Sequence, residues 1–220
     1  MVKLPFKDRS EAGRLLGIEL AARKLAKNTI ILALARGGVP VGAEIAEQLK
    51  TTLDVLVVCK IGVPWQPELA MGAVAGATQV FDYQLIRELG ISRQMIEAVV
   101  AREVQEIERR EKVYRDDLPP PPSLGGRTVV LVDDGLATGS TMVAAARHVR
   151  SVHPQRLIIA VPVGSAEACS ALSREADECV CLAVPEPFSA VGQWYKDFRQ
   201  VTDAEVREML KNSNAYVESV

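Results

Sequence analysis

The chain has 220 residues, 48% hydrophobic and 25% charged, with a formal net charge of -2 and a pI of about 5.8. That length suits one globular unit with an ample core. The acidic balance excludes a nucleic-acid binder dominated by phosphate contacts, and no apolar run approaches a membrane span. Met1-Val2-Lys3-Leu4-Pro5 does not read as a signal peptide. The four cysteines, Cys59, Cys169, Cys179 and Cys181, show no Cys-x-x-Cys spacing, and His148 and His153 are the only histidines. A zinc site is therefore not expected, and the thiols read as reduced and structural in a cytoplasmic protein.

Apolar residues recur at helical spacing from Ala12 to Leu25, with Ser10 placed to cap that helix. Thr29 to Ala35 is a short apolar run, read as a buried strand. Arg36-Gly37-Gly38 is a tight turn, and Pro40 to Leu49 reads as a helix with proline in its first turn. Leu53 to Ile61 reads as a second buried strand ending near Lys60. Gly62 to Ala77, rich in Gly, Pro and Ala, reads as a long mobile loop or a hairpin, with Pro67, Glu68 and Met71 as its distinctive side chains.

Ser92 to Arg115 is charged but carries Ile96, Val99, Val100, Val104, Ile107 and Val113 on one face, which predicts a long amphipathic helix. That face could pack on its own sheet or against a second copy. Pro119 to Pro122 ends the helix and makes a stiff connection. Strands are then expected at Thr128–Asp133, Arg156–Val163 and Cys179–Val184, and helices at Thr141–Ser151, Ser165–Glu175 and Asp203–Leu210, with fraying after Asn212. The alternation predicts an α/β fold, a mostly parallel sheet flanked by helices. The whole of 1–220 reads as one unit, with a loop at about 62–77, an inserted helix at about 92–115 and a small hood at about 185–198.

The most informative segment is Val129-Val130-Leu131-Val132-Asp133-Asp134-Gly135-Leu136-Ala137-Thr138-Gly139-Ser140-Thr141. A buried strand runs into two adjacent carboxylates and then a loop of small and hydroxyl residues that opens a helix. Backbone N–H groups of such a loop converge at the helix N-terminus and attract a phosphate. The two acids would repel phosphate but accept hydrogen bonds from hydroxyls. A ribose 5-phosphate satisfies both halves.

This segment resembles the phosphoribosyl-diphosphate (PRPP) motif of type I phosphoribosyltransferases. Gly135 departs from the commonest form, where many members carry Val, Leu or Ile. The resemblance implies 5-phosphate binding by Ala137, Thr138, Gly139, Ser140 and Thr141, with Asp133 and Asp134 orienting the ribose hydroxyls. It also implies that Ala35-Arg36-Gly37-Gly38 holds pyrophosphate, since ligands of parallel sheets gather at the carboxyl ends of strands. Lys60 would reach that crevice, or would simply be a lysine extending into water at a strand end. The loop at 62–77 falls where the family has a flexible cover that excludes water.

Four aromatics cluster in Phe188 to Phe198. The family's hood holds the nucleobase, often by stacking, so Phe188, Trp194 or Tyr195 could do so; they could equally seal the core. Phe6-Lys7-Asp8-Arg9 and Val191-Gly192-Gln193-Trp194-Tyr195 further resemble a subgroup of uncharacterised bacterial phosphoribosyltransferases. The implied reaction is Mg²⁺-dependent transfer of 5-phosphoribose from PRPP to a nitrogen of a base, of nucleotide-salvage type. Mg²⁺ would be held by substrate and water, with no direct protein ligand. Small-molecule substrates are the implied partners, without nucleic acid or membrane, in a homodimer. Ala137 stands where members acting on 6-oxopurines usually carry an aspartate, which favours an adenine-type loop. The rival reading is a regulatory protein that senses PRPP or nucleotides without turnover.

Overall fold

The structure is a computed structural model that describes residues 2–116 and 118–218. Five strands form a wholly parallel sheet in the order β2-β1-β6-β7-β8: β1 (Ile30–Leu34), β2 (Thr52–Leu56), β6 (Thr128–Val132), β7 (Arg156–Val163) and β8 (Glu178–Ala183). Every residue of β1 and β6 is buried, as a sheet covered on both faces requires. The pleat sorts them. Ile31 and Ala33 face the side packed by α1 (Arg9–Ala21) and α2 (Gly38–Leu49), while Leu32 and Leu34 face α5 (Ser140–Ser151) and α6 (Ala166–Leu172).

The expected strand Leu53–Ile61 is two strands in two sheets. The chain leaves the parallel sheet at the buried Val57 and continues as β3 (Val58–Val63), which pairs antiparallel with β4 (Gln66–Ala75); β5 (Thr78–Phe81) completes the second sheet. The apolar run is continuous because both sheets bury it, so hydropathy alone could not reveal the switch. Lys60 consequently does not end a parallel strand. It lies exposed in mid-β3, opposite Ala73. The segment at 62–77 adopts the hairpin alternative, with Trp65 56% exposed at its tip and Met71 fully buried.

The long helix α4 (Arg93–Arg115) follows α3 (Tyr83–Glu88). Its apolar stripe is covered by the chain's own β3, β4 and α7 (Asp203–Glu218), with Val99, Ile107 and Tyr114 buried. The final helix extends beyond Asn212 to Glu218, and residues 219–220 lie outside the described residues. The first helix starts at Arg9 and is capped by Asp8, whose carboxylate accepts from the Glu11 amide at 2.8 Å, rather than by Ser10.

Near the end of α4, Arg115 Nη2 lies 2.8 Å from Asp54 Oδ1 on β2, and the Asp54 side chain is only 7% exposed. The same Asp54 oxygen accepts from the Val55 amide. Removing the guanidinium strands a buried charge. Arg115→Ala is expected to lower stability by about 3 kcal/mol, whereas Arg115→Ala combined with Asp54→Asn recovers part of that loss; chemical denaturation of the three proteins checks this.

Candidate functional site

Strands β1 and β6 are neighbours and parallel, so their carboxyl ends release two turns side by side. One is Ala35-Arg36-Gly37-Gly38, with a cis Ala35–Arg36 peptide, leading into α2; the other is the loop from Asp133 to Gly139, leading into α5. The turns touch. A β-carbon on Gly37 would collide with the Asp134 carboxylate, and one on Gly38 would lie 2.6 Å from the Val132 carbonyl oxygen. Only glycine permits this approach.

Helices α1, α3, α4 and α6 are capped by Asp8, Asp82, Ser92 and Ser165, and Thr202 and Glu205 cap α7 reciprocally. Helices α2 and α5 differ: Gly37 and Gly139 sit at their N-caps, and no side chain caps either. No side chain takes up the positive end of either helix; at α2, however, Val39 already donates to the Arg36 carbonyl (3.2 Å) and Pro40 has no N–H, so Gly38 is its one open helical donor, whereas no residue of the first turn of α5 is proline. Gly139 has φ 75°, which sets the backbone turn into α5. Thr138 Oγ1 and Ser140 Oγ lie 3.4 Å apart in this loop, Ala137 and Thr138 are exposed, and Ser140 and Thr141 are half-buried. The loop is fixed from below: Leu136 donates to the Val163 carbonyl (2.9 Å), and Ser165 Oγ donates to the Ala137 carbonyl (2.8 Å).

The two carboxylates have different surroundings. Asp133 accepts from the Asp134 amide at 2.8 Å and makes no ion pair among the described residues. Burial, and then the neighbouring Asp134 charge, push its carboxyl well above the usual range. Asp134 is instead engaged. Its Oδ2 lies 2.8 Å from Arg9 Nε, with both side chains little exposed (13% and 11%). Its carboxyl is also raised by burial, and Arg9 pulls it back down. Of the two acids, Asp133 thus has no ion-pair partner among the described residues, and Asp134 is held by an arginine.

Arg9 was not legible as a site residue, although its motif was. Phe6-Lys7 pairs with Trp194 to Asp197: Phe6 donates to the Trp194 carbonyl, and Lys196 and Asp197 donate back to Phe6 and Lys7. The two terminal motifs are thus one structure. It sets the Arg9 guanidinium 3.9 Å over the Phe198 ring and within 2.9 Å of the Arg199 carbonyl.

Tyr195, expected as a possible stacking ring for a base, belongs to the core. It is 6% exposed, packed between Phe6 and Phe198, and its hydroxyl donates to the Asp134 carbonyl at 2.6 Å. Phe188 and Trp194 stay half-buried, with ring centroids 6.2 Å apart. Arg36 is half-buried and leans 3.8 Å from Asp203, which also accepts from Tyr114. The glycine at 135 is a packing requirement. A β-carbon there would lie 2.6 Å from Val191 Cγ1 in the hood and 3.1 Å from Val163 Cγ1, so these side chains occupy the space a larger residue would need.

Burying the Asp133 charge has a stability cost with a definite sign. Below about pH 4 both folded and unfolded states hold the proton, and no penalty exists. As pH rises, the unfolded state ionises first and the folded state lags, so stability falls until the raised folded pKa is passed. Asp133→Asn is expected to raise the melting temperature of the unliganded protein at pH 7.5 by roughly 2–4 °C, for a gain of about 1 kcal/mol. That gain should fade toward pH 4, and thermal melts across the range read it directly.

The phosphoribosyl transferase domain family matches residues 69–195. A Mycobacterium tuberculosis H37Rv protein named "Putative phosphoribosyl transferase Rv0571c" is 41% identical over 213 residues, which is 95% of this chain but 47% of that protein. The chain thus spans about half the length of that relative. The crystal structure of TT1426 from Thermus thermophilus is 42% identical, superposes with a TM-score of 0.80, and matches over 95% of this chain and 99% of its own. These matches show that the chain belongs to the phosphoribosyl transferase domain family.

Proposed function

We propose that the protein transfers 5-phosphoribose from PRPP to a nitrogen of a nucleobase-like acceptor, releasing pyrophosphate, as a nucleotide-salvage enzyme of the cytoplasm. The observation that carries this reading is the meeting of two uncapped helix N-termini at a pair of carboxylates. Such an arrangement suits one anion at each helix and a diol between them.

In this reading the Ala137–Thr141 loop receives the 5-phosphate, and the Arg36-Gly37-Gly38 turn receives pyrophosphate. Asp133 accepts hydrogen bonds from the ribose hydroxyls. The bond from the anomeric carbon to pyrophosphate breaks ahead of nitrogen attack, its electron pair leaving with pyrophosphate; the acceptor nitrogen then bonds to that carbon and gives up its N–H proton to water. The protein needs no covalent nucleophile; it contributes position and fixed charge. A hairpin tip carrying Trp65 suits exclusion of water from the cationic sugar. Phe188 and Trp194 keep accessible surface for a base, and Lys60 is left as a secondary candidate for pyrophosphate oxygens.

Mg²⁺, bound with PRPP, would offset charge on the departing pyrophosphate. Asp133, a carboxylate without an ion-pair partner among the described residues, is the side chain suited to hydrogen-bond that ion's water shell. Along the apolar stripe of α4, Val99 and Ile107 are buried against their own chain, while Ile96, Val100, Val104 and Val113 stay half-buried and leave surface for a second copy.

Incubation with PRPP, Mg²⁺ and a panel of bases should give pyrophosphate release that depends on the base. Binding without release would establish the sensor reading instead. Asp133→Ala should weaken PRPP binding by about 10- to 100-fold, the range for losing hydrogen bonds to a charged group. Calorimetry that finds unchanged affinity would defeat the assignment of the diol site.

A further inference from the structure

We infer that Arg9 is a positioning residue of the phosphoribosyl site: by holding the Asp134 carboxylate and offsetting its charge, it keeps the adjacent Gly37 turn fit to accept pyrophosphate. The inference rests on the function proposed above and adds a component supplied from 125 residues away in sequence.

The Asp134 carboxylate is packed so closely against Gly37 that no side chain fits between them. It therefore lies at the mouth of the turn assigned to the leaving group. An unbalanced carboxylate there would oppose a pyrophosphate anion through a medium that screens poorly. Arg9 Nε contacts that carboxylate at 2.8 Å, and both groups are nearly out of solvent.

The guanidinium is itself fixed from three directions. Phe198 lies beneath it, the Arg199 carbonyl accepts from Nη1, and Asp134 accepts from Nε. The other groups facing Asp134 cannot replace it. Asp133 carries like charge, and Tyr195 offers a neutral hydroxyl that is already donated to the Asp134 carbonyl. Arg36, the nearest cation in sequence to the turn, leans toward Asp203 instead. Arg9 does not touch the sugar or phosphates in this assignment; it acts through Asp134.

A purely structural role, joining α1 to the hood, would affect all ligands alike. The positioning role is selective. Ribose 5-phosphate uses the α5 loop and the diol site, whereas inorganic pyrophosphate uses the Gly37 turn. Calorimetry of both ligands against wild type, Arg9→Ala and Arg9→Ala/Asp134→Asn separates the two. Arg9→Ala should weaken pyrophosphate by about tenfold or more while leaving ribose 5-phosphate unweakened, and adding Asp134→Asn should restore pyrophosphate. If Arg9→Ala does not fold, Arg9→Gln keeps the stem and a donor and takes its place in both proteins.

Equal loss of both ligands without restoration by Asp134→Asn overturns the inference, as does unchanged pyrophosphate affinity. Wild-type protein that binds neither ligand overturns the function proposed above rather than the role of Arg9 within it.

Discussion

Two adjacent carboxylates stand at the end of a completely buried strand, and much of the surrounding structure answers that electrostatic load. Burial raises the proton affinity of both, and the Asp134 charge raises that of Asp133 further. The fold divides the burden unequally. Asp134 receives an arginine and lies against Gly37, with the Tyr195 hydroxyl donating to its carbonyl. Asp133 receives a backbone amide and, among the described residues, no ion-pair partner. In the function proposed above, such a group is left for a partner that arrives with the ligand. Stability withheld from the resting state is then available as binding energy.

Side-chain capping follows the same division. Five helices are capped by Asp, Ser or a Thr–Glu pair, while the two whose N-termini border the carboxylates begin at glycine. Negative side chains and helix N-termini without a side-chain cap thus occupy one small region, with Arg9 as the ion-pair partner of one of the acids. The separation of charge is sustained because β1 and β6 are rigid, hydrogen-bonded neighbours that hold the two turns in register. The same register explains why a residue as small as glycine is required where the turns meet.

The sequence was readable wherever a physical signal was local. Strands β1, β6 and β7 are apolar runs bounded by turn residues, and β7 ends where the run ends. The acid pair, its loop and the Arg36-Gly37-Gly38 turn form continuous motifs. Reading failed where the signal was non-local. The passage from β2 to β3 leaves no mark in hydropathy, because Val57 is as buried as its neighbours. Strand β4 includes Pro67, Glu68, Gly72 and three alanines, residues that strands disfavour, and is held by pairing on both edges. Arg9 and Asp134 belong to segments that meet only after the chain's two ends have paired, so no spacing rule joins them. Tyr195 carried a correct signal, an aromatic in the hood, but composition could not say whether its ring faced a ligand or Phe6 and Phe198.

Gly135 gives this architecture a historical consequence. Val191 fills the volume that a branched residue at 135 would occupy. The two positions are therefore interlocked across the gap between loop and hood, and neither can grow without the other shrinking. A lineage drifting between this form and one with a bulky loop residue must cross an intermediate that is either overfilled or hollow. Grafting a loop from such a cousin onto this scaffold would call for a trimmed hood in the same step.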